Sequence, residues 1–233
     1  MLAIRKADER GSFDYVWLKT SHSFSFGEYY DPRFMGFSVL RVINEDRVLP
    51  DQGFGAHSHK DMEILSYVLS GSMMHRDSMG YEKVLSKGEF QIMSAGSGIR
   101  HSEFNASHTE ELHFYQIWIQ ANQLGLKPRY EQKAFDSNPS LILSPDGKEG
   151  SFKVYQDMSL WRYQNFQEEI FEIEKGRRLY LQVIRGELEV LSSKSRVALK
   201  VSDGLMVEQE QSIRLLTSGP LGQELEVLLF DLP

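Results

Sequence analysis

Apolar and polar residues alternate along most of the chain, and glycine, asparagine and aspartate break the alternation at short intervals. A period of two puts successive side chains on opposite faces of a strand, so the pattern predicts short strands joined by turns. Clear examples are Phe37–Val42, Glu63–Leu69, Phe90–Met93, Leu112–Ile119, Leu179–Ile184 and Leu225–Phe230. Helical periodicity is weak, and short helical turns are expected only around Asp157–Tyr163 or Glu131–Phe135. Many short strands with few helices predict an all-β protein built as a sandwich or barrel.

The pattern also repeats. Tyr67-Val68-Leu69-Ser70-Gly71 precedes Lys87-Gly88-Glu89-Phe90-Gln91-Ile92, and Gln182-Val183-Ile184-Arg185-Gly186 precedes Asp203-Gly204-Leu205-Met206-Val207. Gly71 and Gly88 stand 17 residues apart, Gly186 and Gly204 18. Each half reads as strand, glycine turn, strand, loop, glycine turn, strand, so two similar barrels in tandem are predicted. The division places one domain at residues 1–125 and another at 135–233. Their connection falls in Ala121–Ser140, which carries Gly125, Pro128, Asn138 and Pro139.

Composition narrows the function classes. A length of 233 residues suits one large or two small domains. The net charge is −7 and no Lys/Arg run is present, so direct nucleic-acid binding is not expected. The chain has no cysteine, which excludes disulfides, thiolate catalysis, zinc fingers and iron–sulfur clusters. Any metal must be held by nitrogen and oxygen. Met1 to Gly11 lacks the apolar core of a signal peptide, and no apolar run reaches the length of a membrane span. The expectation is a cytoplasmic protein with no membrane partner.

The candidate chemistry lies in the first half, which holds all seven histidines. His57-Ser58-His59 is a pair at strand parity, and His101-Ser102-Glu103 has the same spacing. On neighbouring strands, two such pairs bring three imidazoles and a carboxylate to one point. Neutral imidazole and carboxylate suit iron, nickel, copper, manganese or zinc. Glu63 shares parity with His57 and His59, so spacing leaves two carboxylates open as ligand. His113 shares parity with Tyr115, Ile117 and Ile119: it either faces the barrel interior near the metal or is a buried histidine satisfied by a backbone partner. His22, His75 and His108 stand in polar, turn-like contexts and are expected at the surface. Phe26, Phe54, Met93 and Ile99 lie near the motifs and are candidates for an apolar pocket wall. Ser97 lacks the G-x-S-x-G elbow, and no G-x-x-x-x-G-K-[ST] loop is present, so neither a serine nucleophile nor nucleotide hydrolysis is supported.

Gly55-Ala56-His57-Ser58-His59-Lys60-Asp61-Met62-Glu63 followed by Gly71 resembles the first cupin motif, and Lys87-Gly88-Glu89-Phe90 followed by His101 resembles the second. More specifically, Phe24-Ser25-Phe26, Tyr30-Asp31-Pro32, Leu40-Arg41-Val42-Ile43-Asn44, and Met93 to Glu103 resemble the bacterial pirin family, over essentially the whole chain. The resemblance implies a bicupin, two tandem cupin barrels with few short helices and one metal, in the first. It implies ligation by His57, His59, His101 and Glu103, with Glu63 orienting a ligating histidine, while His113 stays a candidate neighbour of the ligands on parity alone. It implies one divalent transition metal, iron(II) first, with zinc, nickel, copper, manganese or cobalt also compatible. The implied activity is that of a quercetin 2,3-dioxygenase: a flavonol or another metal-chelating phenol meets dioxygen, and Glu103 acts as catalytic base. The alternative implied by the family is a metal- or redox-sensing regulator with a protein partner. A monomer is expected.

Overall fold

A computed structural model describes residues 1–219 and 222–233, nearly all of them in strands and loops. Among the described residues, helix is confined to the 3₁₀ turns Ala7–Glu9 and Lys148–Gly150, and no helix is long and apolar enough to cross a membrane. The chain divides into two compact units, Gly11–Phe135, and Met1–Arg10 with Asp136–Pro233.

The chain opens with strand β1 (Leu2–Arg5). The Gly11–Phe135 unit follows with β2 (Gly11–Asp14), β3 (Leu18–His22), β4 (Leu40–Val48), β5 (Gly53–His59), β6 (Met62–Ser70) and β7 (Ser72–Asp77). It ends with β8 (Glu82–Ser86), β9 (Phe90–Ser94), β10 (Ile99–Asn105), β11 (Leu112–Gln120) and β12 (Arg129–Lys133). A seven-stranded sheet runs β12-β9-β6-β11-β4-β3-β2, and a four-stranded sheet runs β5-β10-β7-β8. The pleat sends even-numbered residues of β4, β6 and β11 to one face, and there Val48, Val68 and Phe114 pack with Met73 of β7 and Leu85 of β8. At about 25 cal/mol per Å² of buried apolar surface, this cluster holds the two sheets together.

The other unit contains β13 (Ser140–Ser144), β14 (Phe152–Lys153), β15 (Ser159–Gln164), β16 (Glu168–Glu172) and β17 (Arg178–Arg185). It continues with β18 (Leu188–Leu191), β19 (Arg196–Leu199), β20 (Gly204–Val207), β21 (Ser212–Thr217) and β22 (Glu226–Leu232). The same design returns, with sheets β1-β20-β17-β22-β15-β13-β14 and β16-β21-β18-β19. The chain thus carries two barrels of one design in tandem, as the internal repeat predicts. Here the inward positions are Leu, Val and Ile, among them Leu181, Val190, Leu205 and Leu229, and the interior is filled with hydrocarbon.

Several local expectations are corrected. Glu131–Phe135 and Asp157–Tyr163 are not helical turns; they belong largely to strands β12 and β15. Pairing with β9 and β22 supplies their backbone hydrogen bonds, and such tertiary pairing overrides weak local propensity. The strand expected from Phe37 begins at Leu40, the two residues joined by an isolated bridge. The connecting segment contains β12, which belongs to the first unit's large sheet. Residues 1–10 stand with the second unit, not the first, because β1 pairs along β20 from Leu2 with Val207 to Arg5 with Gly204.

Candidate metal centre

Strands β5 and β10 run antiparallel with His57 directly opposite His101. Their register then shifts between His101 and Glu103, so that Glu103 faces Phe54. The extra residue on β5 is a bulge at Gly55–Ala56, and it reverses the parity of what precedes it. Phe54 and His57, three residues apart, therefore both reach the same cavity. Gly53 is required at the closest approach: a Cβ there would overlap the Glu103 carbonyl and the Phe104 Cα. Gly96, at φ +48°, plays the same part before β10, since its Cβ would strike the Leu126 carbonyl.

The result is a cluster. Ligand atoms of His57, His59 and His101 lie within 4.8 Å of one another, and so do those of His75, His101 and Glu103. Bonds of about 2.1 Å to one ion set donors at right angles about 3.0 Å apart, so small movements of the first three side chains bring them onto a shared ion. His57 Nδ1 sits 2.8 Å from the Gly55 carbonyl oxygen. A carbonyl only accepts, so Nδ1 carries the proton and Nε2 presents its lone pair to the cluster. His101 is 2% exposed, and neither of its ring nitrogens has a hydrogen-bond partner. A buried polar atom left this way costs about 1–3 kcal/mol, and a cation accepting one of its lone pairs removes that penalty. Burial first, then the neighbouring imidazoles, lowers the His59 pKa to about 4 and the His101 pKa to about 3. Both are neutral at pH 7, which is the form that binds metal. The donor set fits a divalent first-row ion.

Glu103 is fixed from two sides. Gln91 Nε2 donates to Oε1 at 2.8 Å and Gln116 Nε2 donates to Oε2 at 2.7 Å. The amides are themselves held: Tyr130 lies within hydrogen-bond reach of Gln91 Oε1, and Trp118 Nε1 donates to Gln116 Oε1 at 3.2 Å. Burial and the nearby Glu103 charge raise the Tyr130 pKa, so its hydroxyl keeps its proton as a donor. Glu63 is also buried, but on the other face of the large sheet. Its register partners are Ser94 and Ile119, and it accepts from Ser94 Oγ at 2.9 Å and pairs with Arg129 at 3.5 Å. It is not among the converging donors. His113 is likewise on the face opposite Gln116 and Trp118. Its Nε2 lies 3.0 Å from Glu45 Oε1, a carboxylate where a backbone partner is expected from the sequence.

Beside the histidines opens a cavity of about 530 Å³, whose wall includes His57, His59, Glu103 and Trp118. Trp118 meets the His59 ring edge-to-face at 4.7 Å between centroids and the Phe26 ring at 5.2 Å. Phe26 and Phe54 reach this cavity, whereas Met93 and Ile99 are packed in a hydrophobic cluster with Ile64 and Tyr130.

The model of the family described as pirin matches residues 3–119, and that of the quercetinase C-terminal cupin domain matches residues 141–232. A quercetin 2,3-dioxygenase of Escherichia coli (strain K12) is 51% identical over 237 residues, covering 100% of this chain and 99% of the relative. The chain belongs to the pirin family. A putative quercetin 2,3-dioxygenase of Pasteurella multocida is 47% identical over 240 residues, covering 100% of both chains. The crystal structure of the E. coli bacterial pirin YhhW in complex with nickel(II) superposes on this pirin with a TM-score of 0.94 at 50% identity, covering 100% of this chain and 99% of that one.

In this pirin, sequence reading passes over His75 and His22, which are 0% and 6% exposed rather than at the surface. His75 stacks on Tyr130 at 4.4 Å and approaches Asp77 Oδ2 at 3.0 Å through Nε2. The signal available was parity, since Met73, His75 and Asp77 alternate with Ser72, Met74 and Arg76. His108 is at the surface as expected, beside Asp51. Gln91 and Gln116 carry no motif, and only the folded register brings them to Glu103.

Proposed function

We propose that this pirin is a metal-dependent dioxygenase of the quercetinase type, in which His57, His59, His101 and Glu103 hold one divalent ion, iron(II) by preference. It opens the heterocycle of a flavonol such as quercetin with dioxygen and releases carbon monoxide. The observation that carries this reading is the convergence of three imidazoles, with His57 and His59 on the wall of an aromatic-lined cavity that Glu103 also lines. The names of the full-length relatives support the substrate class. Four protein donors leave positions free on a six-coordinate ion.

A bound ion supplies Lewis acidity that lowers the pKa of a coordinated hydroxyl and an electron route to dioxygen. The residues do the remainder. The three imidazoles hold the ion through neutral nitrogens. Glu103 takes the proton of the flavonol 3-hydroxyl on a carboxylate oxygen, while the Gln91 and Gln116 amides keep that carboxylate from swinging away. Trp118 and Phe26 offer ring faces and edges to a planar aromatic substrate, and a cavity of about 530 Å³ is in the range of small-molecule sites.

The test is oxygen uptake with carbon monoxide release, measured on iron-loaded protein with quercetin. Equal consumption and release are expected. Glu103→Gln should retain metal on the three histidines and lose turnover by about 10²-fold or more. Iron-loaded protein that consumes no oxygen with any flavonol would sink the reading, and unchanged turnover in Glu103→Gln would sink the base role.

A further inference from the structure

The cavity beside the histidines has two walls of different chemistry. Trp17, Phe26, Phe54 and Trp118 make one of them aromatic. The other comes from β3 and β4, whose Thr20, His22, Asn44 and Asp46 also line the cavity. All four are buried, at 5%, 6%, 2% and 3% exposure. They are register neighbours: Thr20 lies opposite Asp46, and His22 opposite Asn44. On the other flank Asn44 meets Gln116, the residue that donates to Glu103. The same inward face continues into Val48, Leu112 and Phe114, so packing alone would be served by aliphatic residues. Thr20 Oγ1 and His22 Nε2 stand 2.8 Å apart and satisfy each other, and a buried polar group next to them is costly wherever it lacks such a partner.

Asn44 decides the matter. Its amide oxygen is buried and has no hydrogen-bond donor among the described residues. The mechanism above does not use it. An acceptor held ready on a cavity wall points to a ligand that brings a donor, and the aromatic wall points to a ligand with flat rings. A polyhydroxylated aryl compound combines the two.

We propose that Asn44 and Asp46, supported by Thr20 and His22, are specificity-determining residues that read phenolic hydroxyls not engaged by the metal. The ligand's rings lie against Trp118 and Phe26. One of its phenolic O–H groups donates to Asn44 Oδ1 and another to the Asp46 carboxylate. This rests on the flavonol reading and deepens it, because the substrate must then carry hydroxyls beyond the chelating pair. A site built around a hydrogen bond to a substrate hydroxyl rejects the analogue lacking it strongly, since the buried Asn44 acceptor then stays unpaired.

The experiment compares anaerobic binding of quercetin and of 3-hydroxyflavone, which keeps the chelating group and carries no other hydroxyl. Protein loaded with zinc(II), which is redox-inert, is titrated with each by calorimetry. The wild type should bind quercetin at least tenfold more tightly. Asn44→Leu and Asp46→Asn should each weaken quercetin by about tenfold while leaving 3-hydroxyflavone within about twofold; that retained affinity also shows that each variant is folded. Equal affinities in the wild type, or equal weakening of both ligands in a folded Asp46→Asn, overturns the proposal and leaves the flavonol reading standing. If neither flavonol binds the zinc-loaded wild type, the flavonol reading itself fails and takes the proposal with it.

Discussion

His101 concentrates the logic of the site at the scale of one residue. Its ring is buried, its nitrogens have no hydrogen bond, and burial holds its pKa at about 3. His59 follows at about 4. Both values lie below the ordinary histidine value of 6.5, so below that pH the unfolded chain takes up protons that the folded chain refuses. The contribution of these two histidines to the stability of the metal-free protein is therefore steady above pH 7 and falls as the pH drops from 6.5 toward 4. Urea midpoints at pH 7 and pH 5 should show the decline, and His101→Gln should reduce it; an equal decline in the variant would contradict the account. The converging histidines were legible in the sequence because i, i+2 spacing on a strand fixes a shared face. The choice between Glu103 and Glu63 was not legible from spacing, since it depends on which sheet face each strand turns inward. His75 was hidden for another reason: Arg76 and Asp77 beside it make the segment look solvent-facing, although its inner residues are buried.

At the scale of elements, the site depends on how β5 closes against β10. Gly53 has no room for a side chain beside Glu103 and Phe104, whereas a Cβ on Gly55 meets nothing within 4 Å. Gly53→Ala should push the two strands apart, with a stability loss of about 1–3 kcal/mol and metal affinity down by about tenfold. Gly55→Ala should leave both nearly unchanged. Denaturant titration and metal titration of the pair would check this, and equal behaviour of the two variants would rule it out. Gly53-Phe54-Gly55 and Gly96-Ser97-Gly98, beside the two histidine pairs, stand plainly in the sequence. Which glycine is structural is not legible there, because that depends on the approach of the opposite strand. The expected helical turns failed for the same reason: β12 and β15 are made by their partners.

At the scale of the molecule, two copies of one fold differ in what fills them. The second unit packs Leu, Val and Ile where the first gathers imidazoles, and every candidate metal cluster among the described residues lies in the Gly11–Phe135 unit. Leu181→Ala should destabilise the protein by about 2–5 kcal/mol while the folded variant keeps its full metal content. Loss of metal from folded protein would contradict that division of labour. The internal repeat and the one-sided distribution of histidine made the two-barrel plan legible from the sequence. The return of Leu2–Arg5 to pair with β20 was not, because a strand's partner 200 residues away leaves no local pattern.

The proposed metal centre places a single ion on the three histidines and Glu103. The most direct measurement is the metal content per chain, after loading and desalting, of wild type and His101→Ala. About one ion per wild-type chain and almost none in a folded His101→Ala are expected. A variant that keeps the wild-type content would contradict it.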